Sequence, residues 1–113
     1  MSFLHQFVSH LFFIILGLPG QPSAPTANSV STHVIDISWA APSDRGAGIA
    51  GYNIQWQVVG KSEKKQKVIT GSRTAKLDVT PYTEYDIQVR AYNGKGDGPW
   101  SQPLQVRSKE SGK

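Results

Sequence analysis

Between Thr80 and Asn93 the chain reads TPYTEYDIQVRAYN, and from Tyr85 onward its apolar residues fall on every second position. Tyr85, Ile87, Val89 and Ala91 share one side, and Glu84, Asp86, Gln88 and Arg90 share the other. Only an extended strand turns alternate side chains to opposite faces; a helix needs apolar residues three and four apart. This segment is therefore a strand with one buried face and one wet face. HVIDISWA repeats the pattern, with Ile35, Ile37 and Trp39 opposed to Asp36 and Ser38. IAGYNIQWQVV sets Ile49, Tyr52, Ile54 and Trp56 near a common face, with Asn53, Gln55 and Gln57 opposite. TAKLDV places Leu77 and Val79 inward, and SQPLQVRS closes with Leu104 and Val106. The proline-bearing PSAPTANSVS reads as an irregular edge strand, where proline is tolerated.

Turn signals separate these runs at intervals of about 8–12 residues, and no stretch sustains a helical period. APSDRGAG (41–48) is a loop by composition, and GKSEKKQK (60–67) reads as a charged turn. The count of about seven short strands predicts an all-β fold, a seven-stranded antiparallel β-sandwich.

Composition narrows the function. A length of 113 residues fits one domain, and 38% hydrophobic residues with 18% charged ones fit a folded chain. With no cysteine, neither a disulfide scaffold nor a cysteine-ligated zinc site is available. A net charge of +4 favours an acidic partner such as a sulfated glycan. It does not point to nucleic acid, because no recognition-helix or RNA-binding aromatic pattern accompanies it. The chain has no Asn-x-Ser/Thr, so N-glycosylation is not expected.

Enzyme chemistry lacks its parts. Past the first twenty residues only His33 remains as a histidine, with no cysteine nucleophile, Gly-x-Ser-x-Gly elbow or phosphate loop. Glu84 and Asp86 lie on an outward strand face, where paired carboxylates have no pocket. No catalytic residue, metal site or cofactor is expected.

The first twenty residues, MSFLHQFVSHLFFIILGLPG, carry no Lys, Arg, Asp or Glu. Leu11–Leu18 has the length of a signal-peptide core, and Gly20 suits a cleavage site that leaves Gln21 as the new start. The segment lacks the usual basic residues at its start. The alternatives are an uncleaved anchor, which His5, Gln6, Ser9 and His10 interrupt, and a segment foreign to the domain. Under each reading residues 1–20 fall outside the fold, residues 21–108 form the domain and residues 109–113 form a flexible tail.

Several blocks then carry a family likeness. PSAP opens the first strand, Trp39 sits in ISWAAP, and Tyr52 sits in IAGYNIQW. The most specific block is LDVTPYTEYDIQVRAYNGKGDGPWS. In this order and spacing, from Pro22 to about Ser108, the chain resembles a fibronectin type III domain, an immunoglobulin-like sandwich. It is most similar to modules of neural cell-adhesion molecules and receptor ectodomains. The resemblance implies a non-catalytic protein-interaction module, extracellular, whose partners are other cell-surface or extracellular proteins. A structural spacer in a tandem array is the second reading. An intracellular muscle-scaffold module is the third, if the leader is spurious. Trp39, Tyr52, Leu77 and Tyr85 then belong to the core, with Tyr85 at the tyrosine-corner position. Tyr82 departs from the small or polar residue common in the family, and covers the corner from outside.

The resemblance also places three loops at one pole: 41–48, the connection around 71–73, and 93–99. In the family's best-known integrin-binding module the last of these carries Arg-Gly-Asp. Here it carries Lys95-Gly96-Asp97. Against an integrin reading stands a turn reading, which is preferred. Asn93-Gly94 is a hairpin signal tolerant of positive φ, Gly96 and Gly98 serve a short loop, and lysine lacks arginine's fork. Asp44 and Arg45 are candidate contacts on the 41–48 loop, or simply solvated. Lys61, Lys64, Lys65 and Lys67 offer a patch for a sulfated glycan or acidic lipid, or form a solvated hairpin tip that discourages strand pairing. Trp100-Ser101 resembles half of a cytokine-receptor Trp-Ser repeat, with Trp100 stacked on Arg90 as local stabilisation.

Overall fold

The computed structural model describes residues 17–111. The leader expectation for residues 1–16 therefore lies outside the described residues. The strands are β1 (Thr26–Val30), β2 (Val34–Ser38), β3 (Gly51–Val58), β4 (Lys64–Ile69), β5 (Thr74–Asp78), β6 (Glu84–Asn93), β7 (Gly96–Asp97) and β8 (Leu104–Arg107). There is no helix among the described residues. One antiparallel sheet runs β1-β2-β5. The other runs β4-β3-β6-β7, and β8 also pairs with β6.

Eight strands appear where the sequence predicted seven, because the last strand is broken. β7 pairs with the end of β6 at Tyr92 and Asn93, and β8 pairs with its start from Glu84 to Ile87. Pro99 and Pro103 lie between them and have no N–H to donate. Ser101, almost fully buried, bridges the gap: its N–H donates to the Val89 carbonyl at 2.8 Å, and its Oγ accepts the Val89 N–H at 3.0 Å. The smallest side chain with a hydroxyl thus stands in for a missing ladder bond.

The alternation of the sequence becomes the core between the sheets. Ile35 and Ile37 on β2, Ile54 on β3, Leu77 on β5, and Ile87, Val89 and Ala91 on β6 are fully buried. Trp39 and Tyr52 meet edge to face, with centroids 5.3 Å apart. Across the sheets, the Trp56 indole donates to the Asp78 carbonyl at 2.9 Å. Gly51 is confined, because a Cβ there would lie 2.6 Å from the Tyr92 hydroxyl and 2.9 Å from the Ile69 carbonyl.

Two expectations change. Gln55, assigned to the wet face, is 8% exposed. It stands on the central strand between Gln66 and Gln88, and its Nε2 donates to Gln88 Oε1 at 2.9 Å, so its neighbours cover it. The second change concerns the lysine turn, which is shorter than residues 60–67: β4 already begins at Lys64. The charge run reads as a turn by composition, but each residue from Lys64 to Ile69 has a ladder partner on β3. Lys61 alone of the four stays in the turn, its N–H donating to the Val58 carbonyl at 3.0 Å.

Candidate functional site

The loop pole is built around the end of β6. The hairpin turns at Gly94-Lys95, with Asn93 paired to Gly96. The Lys95 N–H donates to Asn93 Oδ1 at 2.8 Å, which closes the turn through a side chain. Positive φ occurs at Gly96, at +143°, and not at Asn93 or Gly94. The hairpin signal therefore acts through the asparagine side chain rather than through left-handed backbone.

Within Lys95-Gly96-Asp97 the carboxylate is already occupied. Arg90 Nη2 lies 3.2 Å from Asp97 Oδ2, and Asn53 Nδ2 donates to Asp97 Oδ1 at 3.3 Å. The Arg90 guanidinium also lies 4.4 Å from the Trp100 ring centroid. Trp100, Arg90, Asp97 and Asn53 thus form one chain of contacts across the outer face of the sheet. Lys95 is exposed, and its stem runs beside Gly17.

On the 41–48 loop, Asp44 Oδ1 accepts the Gly46 N–H at 2.9 Å, and the Asp44 carbonyl accepts the Ala47 N–H at 3.1 Å. Arg45 takes φ +56°, an uncommon conformation for a residue with a Cβ, and its guanidinium packs beside Gly20. The third loop lines a shared hollow with Ala41 of this one, and the Arg73 carbonyl accepts the Trp39 N–H at 3.1 Å. Burial pushes the Tyr52 hydroxyl above the usual tyrosine range, opposed by the nearby Arg73 charge and the Trp39 indole. That indole N–H makes no hydrogen bond of normal geometry.

The surprise at this pole is the segment just before Gln21. Leu18, Pro19 and Gly20, which the sequence put outside the fold, are buried. The Gly20 N–H donates to the Ser43 carbonyl at 2.8 Å, and Asn93 Nδ2 donates to the Gly17 carbonyl at 3.0 Å. These residues form a strap between the 41–48 loop and the hairpin. Gly98, read from sequence as a loop residue, has a tighter reason to be glycine: a Cβ there would strike the Pro19 carbonyl and come within 3.3 Å of that of Gly20. No local signal in the sequence reveals this, because the contact joins segments almost eighty positions apart.

The four lysines do not form one cluster. Lys65 and Lys67 stand opposite Trp56 and Ile54 and so point to the core side of the edge strand, while Lys64 points to the outer face. Lys67 Nζ reaches across the open edge to the Lys76 carbonyl on β5 at 2.7 Å. Lys61 and Lys65, with Glu63, rim a hollow of about 150 Å³ over Trp56, Val58 and Tyr85.

At the opposite end, the Tyr85 hydroxyl accepts the Thr80 N–H at 2.9 Å. Ser108 Oγ donates to the Thr80 carbonyl at 2.5 Å and accepts the Thr83 N–H at 3.0 Å. Exposed Tyr82 takes φ +47° and lies under the Arg107 guanidinium, 4.8 Å from its centroid. Lys109, placed in the tail by sequence, donates to the Ser31 carbonyl and accepts from Tyr82. His33 is exposed beside Thr32, and Glu84 and Asp86 contact Arg107 and Gln105 across the β6–β8 pair.

The model for the fibronectin type III domain matches residues 20–107. Mouse contactin-5 is 33% identical over 97 residues, covering 79% of this chain and 9% of that protein. Human receptor-type tyrosine-protein phosphatase F is 29% identical over 91 residues, covering 79% of this chain and 5% of that protein. The FN5 domain of Drosophila Lar superposes with a TM-score of 0.68 at 30% identity, covering 82% of this chain and 99% of that one. The chain thus spans a small part of the curated relatives it matches.

Proposed function

The chain belongs to the fibronectin type III family, and from that premise we propose that its domain is a non-catalytic protein-interaction module of an extracellular adhesion or receptor protein. Its partners are cell-surface or extracellular proteins, met at the loop pole and the outer sheet face. The observation that carries this reading is the convergence of three loops at one pole, with Asp44 and Lys95 exposed on turns that Asn93 links to each other and Arg45 packed beside Gly20 of the strap. The kinship with a receptor-type protein supports the extracellular placement.

Asp97 serves as the hairpin's lock rather than as an integrin ligand, since Arg90 and Asn53 hold both of its oxygens. Of the four lysines read as a patch for a sulfated glycan, Lys61 and Lys65 share one rim and remain that surface, while Lys64 points to the opposite face and Lys67 is turned to the Lys76 carbonyl. The relatives are more than ten times longer than the matched segment, which favours one second reading: the domain is a spacer within a tandem array.

Replacing residues 44–47 and 93–98 with Gly/Ser sequence in the full chain separates the two. Loss of cell-surface binding, with an unchanged circular dichroism spectrum, is the expected result. Binding that survives both replacements moves the domain to the spacer reading. Retention in the cytosol with Met1 in place removes the extracellular reading.

A further inference from the structure

Asn93 is the side chain on which the separate segments of the loop pole converge. It is 8% exposed. Its Nδ2 donates to the Gly17 carbonyl at 3.0 Å and to the Gly48 carbonyl at 3.1 Å, while Oδ1 accepts the Lys95 N–H at 2.8 Å. The carboxamide therefore spends both its donors and one of its acceptor sites on the strap, the 41–48 loop and the hairpin turn.

The next residue is Gly94, and nothing lies within 4 Å of where its Cβ would be. An asparagine followed by glycine is open to attack on its own carboxamide, because no side chain keeps the following amide nitrogen from approaching. In that reaction the Gly94 nitrogen bonds to Asn93 Cγ, the Cγ–NH2 bond breaks, and ammonia leaves with the amide proton. Solvent water then opens the resulting succinimide at either carbonyl, which gives aspartate or isoaspartate. The side chain must first leave its hydrogen bonds. One of these three bonds is to the strap, which also covers the hairpin: Leu18 lies 3.1 Å from the Cβ position of Gly96, Pro19 and Gly20 lie against Gly98, and the Gly20 N–H is fixed to Ser43.

We propose that Asn93-Gly94 is a deamidation site gated by the Gly17–Gly20 strap, and that its conversion releases the strap. The product puts a carboxylate where a donor stood, facing the carbonyls of Gly17 and Gly48. Acceptors then face one another with no hydrogen between them, and a desolvated arrangement of that kind does not hold. Opening exposes Asn93, conversion prevents reclosure, and the hairpin carrying Lys95-Gly96-Asp97 gains a negative charge. Cleavage between Gly20 and Gln21 opens the gate by removing the strap outright. The inference holds whatever partner the pole meets.

The test follows the full chain in mildly alkaline buffer by peptide mass mapping, with isoaspartyl methyl transfer to count isoaspartate. Asn28 and Asn53 are followed by Ser29 and Ile54, and serve as internal controls. Gly98→Ala pushes a methyl into the strap, and Leu18→Asp removes its apolar anchor. The expected result is slow conversion at Asn93 in the native chain. Conversion rises about tenfold or more in either variant, together with amide exchange over residues 17–20. Adding Gly94→Ala to Gly98→Ala suppresses it, and Asn93→Asp alone frees the strap.

Four results overturn the proposal. The native chain converts as fast as the urea-unfolded chain. Freeing the strap leaves the rate unchanged. Both variants keep the strap protected. Asn93→Asp keeps the strap as protected as in the parent chain.

Discussion

At the Tyr85 end of the sandwich, the buried hydroxyl groups of Tyr85 and Ser108 tie the backbone of Thr80 and Thr83 into one knot within 28 positions. At the Asn93 end, one carboxamide reaches a segment 76 positions away and a loop 45 positions away. The indoles repeat the contrast. Trp56, toward the corner, donates to Asp78, whereas Trp39, toward the loops, has no hydrogen-bond partner within the described protein. The other two buried side-chain nitrogens in that condition, on Arg45 and Arg90, also lie at the loop end. The corner is complete in itself, while the loop pole depends on what the chain brings to it. A family fold can keep the first constant and let the second carry specificity.

Three measurements sharpen or break that contrast. Trp39→Ala should cost the most, about 3–5 kcal/mol in chemical denaturation, because a large ring between the sheets becomes a cavity. The loss should appear first as faster amide exchange in the 41–48 and 71–73 loops. Equal acceleration at the corner would show that the two ends do not open separately.

Tyr85→Phe keeps the ring and deletes the hydroxyl, leaving the Thr80 N–H without its acceptor. The expected cost is about 1–3 kcal/mol. At about 4–8 °C per kcal/mol for a domain of this size, the melting temperature should fall measurably. An unchanged melting temperature would mean that the corner is not the tighter end.

The smallest effect concerns Tyr52. Burial favours its neutral phenol, so its folded-state value lies above 10.0, the usual one. The associated stability is present below pH 10.0 and is lost as the pH rises through the folded-state value. Thermal melts should therefore fall on the alkaline side, and Tyr52→Phe should flatten that limb. A limb unchanged by Tyr52→Phe would assign the alkaline loss to other groups.

Legibility followed the range of the interaction. The strand faces could be read directly, since Tyr85, Ile87, Val89 and Ala91 are all buried where the alternation put them. The resemblance reached the tyrosine corner and the stack of Trp100 on Arg90. At the candidate site, the hairpin and its exposed Lys95 were legible, but the engagement of Asp97 by Arg90 and Asn53 was not. A carboxylate in a glycine-rich turn looks the same whether free or bound. Lys64, Lys65 and Lys67 misled for a related reason, because an edge strand with lysines and a solvated turn share one composition.

By itself, the sequence determined that this chain forms strands, which face of each is buried, and that the family's sandwich results. Those properties depend on neighbours one, two or a few residues apart, and hydrophobic burial acts on the pattern as a whole. Only the tertiary structure decided that the last strand breaks around Ser101, that Gly98 makes room for Pro19, and that Asn93 binds the strap. Each is a contact between segments whose separation along the chain carries no local signal, set by which backbone groups still lacked a partner once the sheets had closed.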